Sequence, residues 1–468
     1  MVRITQAPWR TAAKAFFLAA LTMTVIMNGS VAEPYTSIAL LFLSVPTLLV
    51  LILRDLVGPR ARTMVHVGVL TCFVLAVGFA QVVPVPMHFA HPAWNMLPAD
   101  IRPDHGFISV NPEHSLEALA RTALPALAFL TALGISNSDR DAQRLWNSLA
   151  ALGLAVLMLS AGLELLFPDV HVFASRPVGG APFNGVFVNR NTMAAFLVVV
   201  LFAVMGSVVL RSSKTDKNRE KRLLALSMWW AVLLLTAVAI VATASRAGAF
   251  FGLICLALSG GGVLAMRLSE RAILNRRLRL FFVVGACLIF LLLFYAAFGN
   301  PVLARLDSIN EITRQCLWRL TFEAWREQPI LGAGIGTFAD VFPAYRTPAC
   351  PTGGPGSIVL HAHNSFLDWS LGLGWLGPLV IGLFYLEIVR LCRVGLVNRR
   401  RLRGIPILLA GLTLYLTLHS MVDFPLQIPG MAAYAAALFG AGAAICVHNP
   451  ARDRPRSSRS RRRSKKSS

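Results

Sequence analysis

The chain has 468 residues, of which 56% are hydrophobic and only 14% charged, with a mean hydropathy of +0.64 and a formal net charge of +22. Soluble domains carry about 25% charged residues, so this composition excludes a soluble enzyme or a soluble nucleic-acid-binding domain. It indicates a polytopic membrane protein whose positive charge has to be read first as a topology signal.

Apolar runs long enough to cross a bilayer as helices recur throughout the chain. They predict about twelve spans, at 15–32, 36–53, 64–83, 116–135, 147–167, 191–210, 223–243, 247–266, 280–298, 365–389, 405–422 and 428–447. The first run lacks a small-residue cleavage site and reads as a retained span rather than a leader. Basic residues collect in alternate connections, at 211–222, 267–279 and 390–403 and in the tail 449–468. Loops rich in Lys and Arg stay cytoplasmic, which predicts both termini inside. The tail "RDRPRSSRSRRRSKKSS" reads as disordered and suited to anionic headgroups. Topology accounts for its charge, so no nucleic-acid partner is expected.

This orientation leaves 84–115, 168–190, 299–364 and 419–427 outside. The third is far longer than an ordinary connection and is expected to be functional. Within it, "SINEITRQCLWRLTFEAWREQP" interleaves Leu317, Leu320 and Phe322 with Arg314, Arg319 and Arg326, the pattern of an amphipathic helix. "PILGAGIGTFADVF" is turn-rich, and its glycines follow no strand, so a dinucleotide loop is a poor reading. Cys316 and Cys350 share this loop and are candidates for a disulfide, subject to a Cα separation that spacing does not reveal.

Ionisable groups at helix mouths are costly and usually mark a site. Arg190 stands between two asparagines at the outer end of the sixth span, and Arg246 in the short turn before the eighth. Either arginine alone is explained by snorkelling or by capping a helix end. Together, beside Asn and Ser with helix N-termini following, they suit an anion. Arg314, next but three to Trp318, either belongs to a solvated helix face or completes a cationic pocket. His361, His363 and Asn364 open the tenth span in "VLHAHNSFLDW". The i, i+2 histidine spacing without a Cys or carboxylate cluster makes a metal site a weak reading. Two others remain: interfacial polar residues with Asn364 as N-cap, or acid–base chemistry by an imidazole. Asp423, in "HSMVDFPLQIPG", is able to orient a histidine or to pair with an arginine.

The stretches "FNGVFVNRNTMAAFL", "TASRAGAF", "TRQCLWRLTFEAWREQPILGAGIGTF", "HAHNSFLDWSLGLGWLG" and "HSMVDFPLQIPGMAA" occur in this order. They resemble the bacterial O-antigen ligase and polymerase superfamily of membrane glycosyltransferases. The resemblance implies an all-α polytopic fold of about twelve transmembrane helices in the bacterial inner membrane. Residues 1–448 would form the glycosyltransferase domain, with a large periplasmic loop (299–364) before the tenth span and the basic tail 449–468. It implies transfer of a glycan from an undecaprenyl-diphosphate carrier to a hydroxyl of lipid A-core, glycan or protein, without cofactor or metal. His363 is the implied base; Arg190, Arg246 and Arg314 are the implied diphosphate ligands; and His361, Asn364, Asp423 and Trp318 are expected to support them. A repeat-unit polymerase and a protein O-oligosaccharyltransferase share that donor chemistry and are the alternatives. A transporter and a non-catalytic envelope scaffold are the remoter ones.

Overall fold

In a computed structural model, the structure describes residues 7–52, 59–167, 183–212, 219–270, 309–348, 350 and 358–448. The predicted ninth span, most of the second outside segment and the basic tail lie outside the described residues.

The protein is an all-α polytopic membrane protein. Its helices are α1 (Ala7–Ile26), α2 (Tyr35–Ile52), α3 (Pro59–Gln81), α4 (Pro112–Ile135), α5 (Asp139–Leu166), α6 (Arg190–Ser212), α7 (Arg219–Ala242) and α8 (Arg246–Glu270). They continue as α9 (Ile309–Glu327), the one-turn α10 (Phe338–Val341), α11 (Ser365–Leu373), α12 (Leu376–Asn398), α13 (Gly404–Ser420) and α14 (Pro429–Val447). Among the described residues, seven helices are long and apolar enough to cross a membrane. Among the described residues, the strand content is a two-residue antiparallel pair, Val85–Pro86 with His105–Gly106, in the first long connection.

Two helices form the centre. In α6 and α14, 89% of the apolar window is buried, against 28% in α3 and α8. A helix hydrophobic on all sides belongs inside, and α14 adds small residues that let backbones approach, the usual glue between membrane helices. A Cβ on Gly440 would sit 2.5 Å from the Phe129 carbonyl of α4. Tyr434 spends its hydroxyl on the Leu149 carbonyl at 2.8 Å, and the Trp146 indole donates to Ala203 of α6 at 2.8 Å. These bonds satisfy polar groups where water is absent.

The expected amphipathic helix is present as α9. Its buried edge, Leu317, Leu320 and Ala324, packs with Phe338, Phe342, Ala362 and Leu371 into a core of its own. Cys316 and Cys350 are joined in a disulfide, with Cα atoms 5.7 Å apart.

The predicted tenth span, 365–389, is not one helix. It breaks at Gly374 (φ +60°), giving a nine-residue α11 and then α12, which runs on to Asn398. The break is where the glycine-rich loop docks. A Cβ on Gly374 would lie 2.4 Å from the Ile330 carbonyl, and one on Gly332 (φ +69°) 2.5 Å from the Gly372 carbonyl. Ala333 and Gly334 donate to the carbonyls of Leu371 and Gly372 at 2.8 and 3.2 Å. Buried Gln81, at the end of α3, locks the junction: its amide donates to Leu331 and Gly372 and accepts from the Ile335 amide at 3.0 Å. The glycines serve this close backbone packing.

Candidate functional site

The site is built where α11 begins. Asn364, in extended conformation, caps the helix by accepting from the Phe366 and Leu367 amides at 3.0 and 3.2 Å. Immediately before it, His363 has φ +51°, the left-handed region that non-glycine residues seldom enter. Such backbone persists where surrounding contacts fix it. Here the Trp318 indole donates to the His363 carbonyl at 3.2 Å, and the amide of fully buried Ala362 donates to Asp368 at 3.1 Å.

Two imidazoles emerge from this turn, each against a carboxylate. His363 Nδ1 lies 3.1 Å from Asp423 Oδ1, and His361 Nδ1 lies 3.5 Å from Asp368 Oδ2. Both rings contact Phe424, at centroid distances of 5.0 and 4.2 Å. The histidine side chains are 30% and 24% exposed and their carboxylates 3% and 5%, so each imidazole has an open side and a buried anionic partner. Gln427 donates to Asp368 at 2.7 Å, and the Ser365 hydroxyl to the Asp423 carbonyl at 3.3 Å, stitching this turn to the α13–α14 connection.

Asp423 Oδ1 also accepts from the Phe424 amide at 2.9 Å. Burial alone would raise this carboxyl, but the His363 hydrogen bond and the positive potential of His363, His419 and Arg314 hold it below its ordinary value. An ionised Asp423 accepts from Nδ1–H and leaves the Nε2 lone pair of a neutral His363 available. Arg314 acts on both Asp423 and His419, so α9 brings its charge, as well as Trp318, to the histidine turn.

Arg190 and Arg246 are the first residues of α6 and α8. The Asn189 side chain accepts from the Asn191 amide at 2.8 Å, and the Ser245 hydroxyl from the Gly248 amide at 3.3 Å, so each helix start is locally capped. A Cβ on Gly248 would fall 2.5 Å from Ala194, which puts the two opening turns side by side. The lead into α6 meets the α13–α14 turn through Gly29, where a Cβ would be 2.5 Å from Ile428 and 3.1 Å from Phe187. Asn28 beside it accepts from the Val188 amide at 3.2 Å. Both arginines therefore share one end of the bundle with the histidines. A cation at a helix N-terminus opposes the helix dipole, whereas an anion there is favoured.

Sequence reasoning named His361, His363, Asn364, Asp423, Trp318 and the three arginines. It did not find Asp368, Gln427 or Phe424. Asp368 carries the one local signal, an acid in the first turn of a helix, which is normally read as a dipole partner.

No curated protein matches the chain. Residues 231–382 match the family model described as O-antigen ligase, a stretch that includes Arg246, Arg314, Trp318, His361 and His363, while Arg190 and Asp423 lie outside it. Over residues 231–382, about a third of its length, the chain is thus similar to the O-antigen ligase family.

Proposed function

We propose that this protein transfers a glycan from an undecaprenyl-diphosphate carrier to an acceptor hydroxyl at the periplasmic face of a bacterial inner membrane. The observation that carries this reading is the His363–Asp423 pair, 3.1 Å apart, at the same end of the bundle as two helices that begin with arginine. The diphosphate binds between Arg190 and Arg246, with Arg314 above; the guanidinium fork suits phosphate oxygens. Nε2 of His363 takes the proton of the acceptor hydroxyl as that oxygen bonds to the anomeric carbon. The carbon–oxygen bond to the diphosphate breaks, and its electron pair leaves with undecaprenyl diphosphate, whose growing charge the arginines stabilise. Asp423 steadies the imidazolium until its proton passes to water. A single displacement inverts the anomeric centre.

Ligase, polymerase and protein O-oligosaccharyltransferase share this donor chemistry and differ in acceptor. Transport is less well supported. Glu387 in α12, a candidate for a midplane carboxylate, is tied to Arg390 at 2.7 Å and to His66 at 3.0 Å, and Arg390 donates in turn to Thr63 of α3 at 2.7 Å. The test is a chromosomal deletion complemented by wild type or His363→Ala. Accumulated carrier-linked long chains identify a ligase, single repeat units a polymerase, and loss of glycoprotein a protein transferase. Full complementation by His363→Ala overturns the assignment of His363 as base.

A further inference from the structure

Below the His363–Asp423 pair, the end of α13 buries more polar atoms than it joins. His419 is fully buried, with Nδ1 2.7 Å from the Tyr415 hydroxyl one turn earlier and the rings edge-on at 5.5 Å. Among the described residues its Nε2 has no hydrogen-bond partner; neither has Asp423 Oδ2, the carboxylate oxygen that His363 does not use, nor the Ser420 hydroxyl. Unpaired buried polar atoms are rare and call for an explanation. These lie in one turn: the Asp423 amide donates to the His419 carbonyl at 2.9 Å.

The tautomer supplies that explanation. If the Tyr415 hydroxyl donates to Nδ1, then Nε2 carries the hydrogen and needs an acceptor. Asp423 Oδ2 is an acceptor in need of a donor. With the opposite tautomer a lone pair would face an anion. We propose that His419 is a positioning residue of the site. Its Nε2–H is presented to Asp423 Oδ2 through one bridging water, and Tyr415, His419, that water, Asp423 and His363 form a single hydrogen-bonded column from the helix core to the reacting imidazole. This rests on the reading of His363 as the base. The titratable groups facing His419 are Asp423 from the turn, Tyr415 on its own helix and Arg314 from α9, with Cys255 of α8 facing Tyr415.

Removing the His419 donor leaves the carboxylate charge concentrated on the oxygen that meets His363. The protonated imidazole is then favoured, and His363 becomes neutral only at higher pH. Full-length protein in lipid nanodiscs is the material for the test, with His419→Leu, His419→Gln and Tyr415→Phe. Diethylpyrocarbonate modification of His363, followed peptide by peptide by mass spectrometry, titrates the imidazole without substrate. The midpoint should move to higher pH in His419→Leu and Tyr415→Phe and return toward wild type in His419→Gln, whose amide restores a donor. With undecaprenyl-diphosphate-linked glycan as donor, His419→Leu should lower kcat by about 10- to 100-fold, the usual cost of a lost orienting partner. KM for the donor should hold, the acid limb should move upward, and His419→Gln should recover most of the rate. An unchanged His363 midpoint in both His419→Leu and Tyr415→Phe overturns the column, whatever the transfer assay gives. Absence of transfer by wild type, with the midpoint shifting as described, counts instead against the proposed reaction.

Discussion

The two ends of the helical bundle use the same residue types in opposite ways. At the end away from the histidines, Arg399 terminates α12, is 5% exposed and pairs with Asp139, which opens α5. It also donates to the His448 carbonyl at the end of α14 at 2.9 Å, while Arg60 meets the His448 ring at 2.8 Å. The acid stands at a helix start and Arg399 at a helix stop, where the dipoles favour each, and the charges close on one another. At the site end Arg190 and Arg246 head their helices, against the dipole, and the histidines keep an open side. Charge at the first end holds helices together; charge at the second stands, in the proposed reading, where the donor diphosphate would bind.

The sharpest way to break this contrast is to exchange the expected outcomes. Arg190→Ala and Arg246→Ala should each lower transfer by about 100- to 1,000-fold, the range for losing one stabiliser of developing charge. Thermal unfolding in detergent should change far less than transfer; a loss of melting temperature as large as that of the Arg399 variant would make these arginines structural like Arg399. Replacing Cys316 and Cys350 with serine should destabilise the loop by about 3 to 4 kcal/mol for a separation of 34 residues. Proteolysis confined to the loop, with the spans protected, would show it. Arg399→Ala should cost on the order of 3 kcal/mol by stranding Asp139, with lower yield but full transfer per folded molecule. Asn364→Ala, which removes the cap of α11, should cost about 1 kcal/mol, read as a modest loss of thermal stability.

The smallest effect is confined to acid. Asp423 lies below its ordinary value of 3.8 when folded, so its contribution is present above that value and is lost as pH falls through the lower folded one. Asp423→Asn should therefore flatten the acid limb of a stability profile. A limb that persists unchanged would assign it to other carboxylates.

Hydropathy revealed most of the membrane helices because lipid exposure and burial both demand apolar side chains, and the period of α9 was legible for the same reason. The break at Gly374 was not, since "LGLGWLGPL" is apolar on both sides of it; what splits the helix is backbone packing from a loop some forty residues earlier. The arginines were legible because charge at a helix mouth stands out. The carboxylate partners divide: Asp423 was visible as a candidate without an assigned partner, while Asp368 and Gln427 meet across 59 residues, a contact that local pattern cannot encode.

The left-handed backbone of His363 changes how any replacement there should be interpreted. Alanine removes the imidazole and with it the side-chain contact to Asp423 that helps to hold the bend, so the resulting defect is composite. Asparagine tolerates that conformation far better. The excess damage of the alanine variant over the asparagine variant would measure how much of the enzyme's competence resides in the bend and how much in the ring.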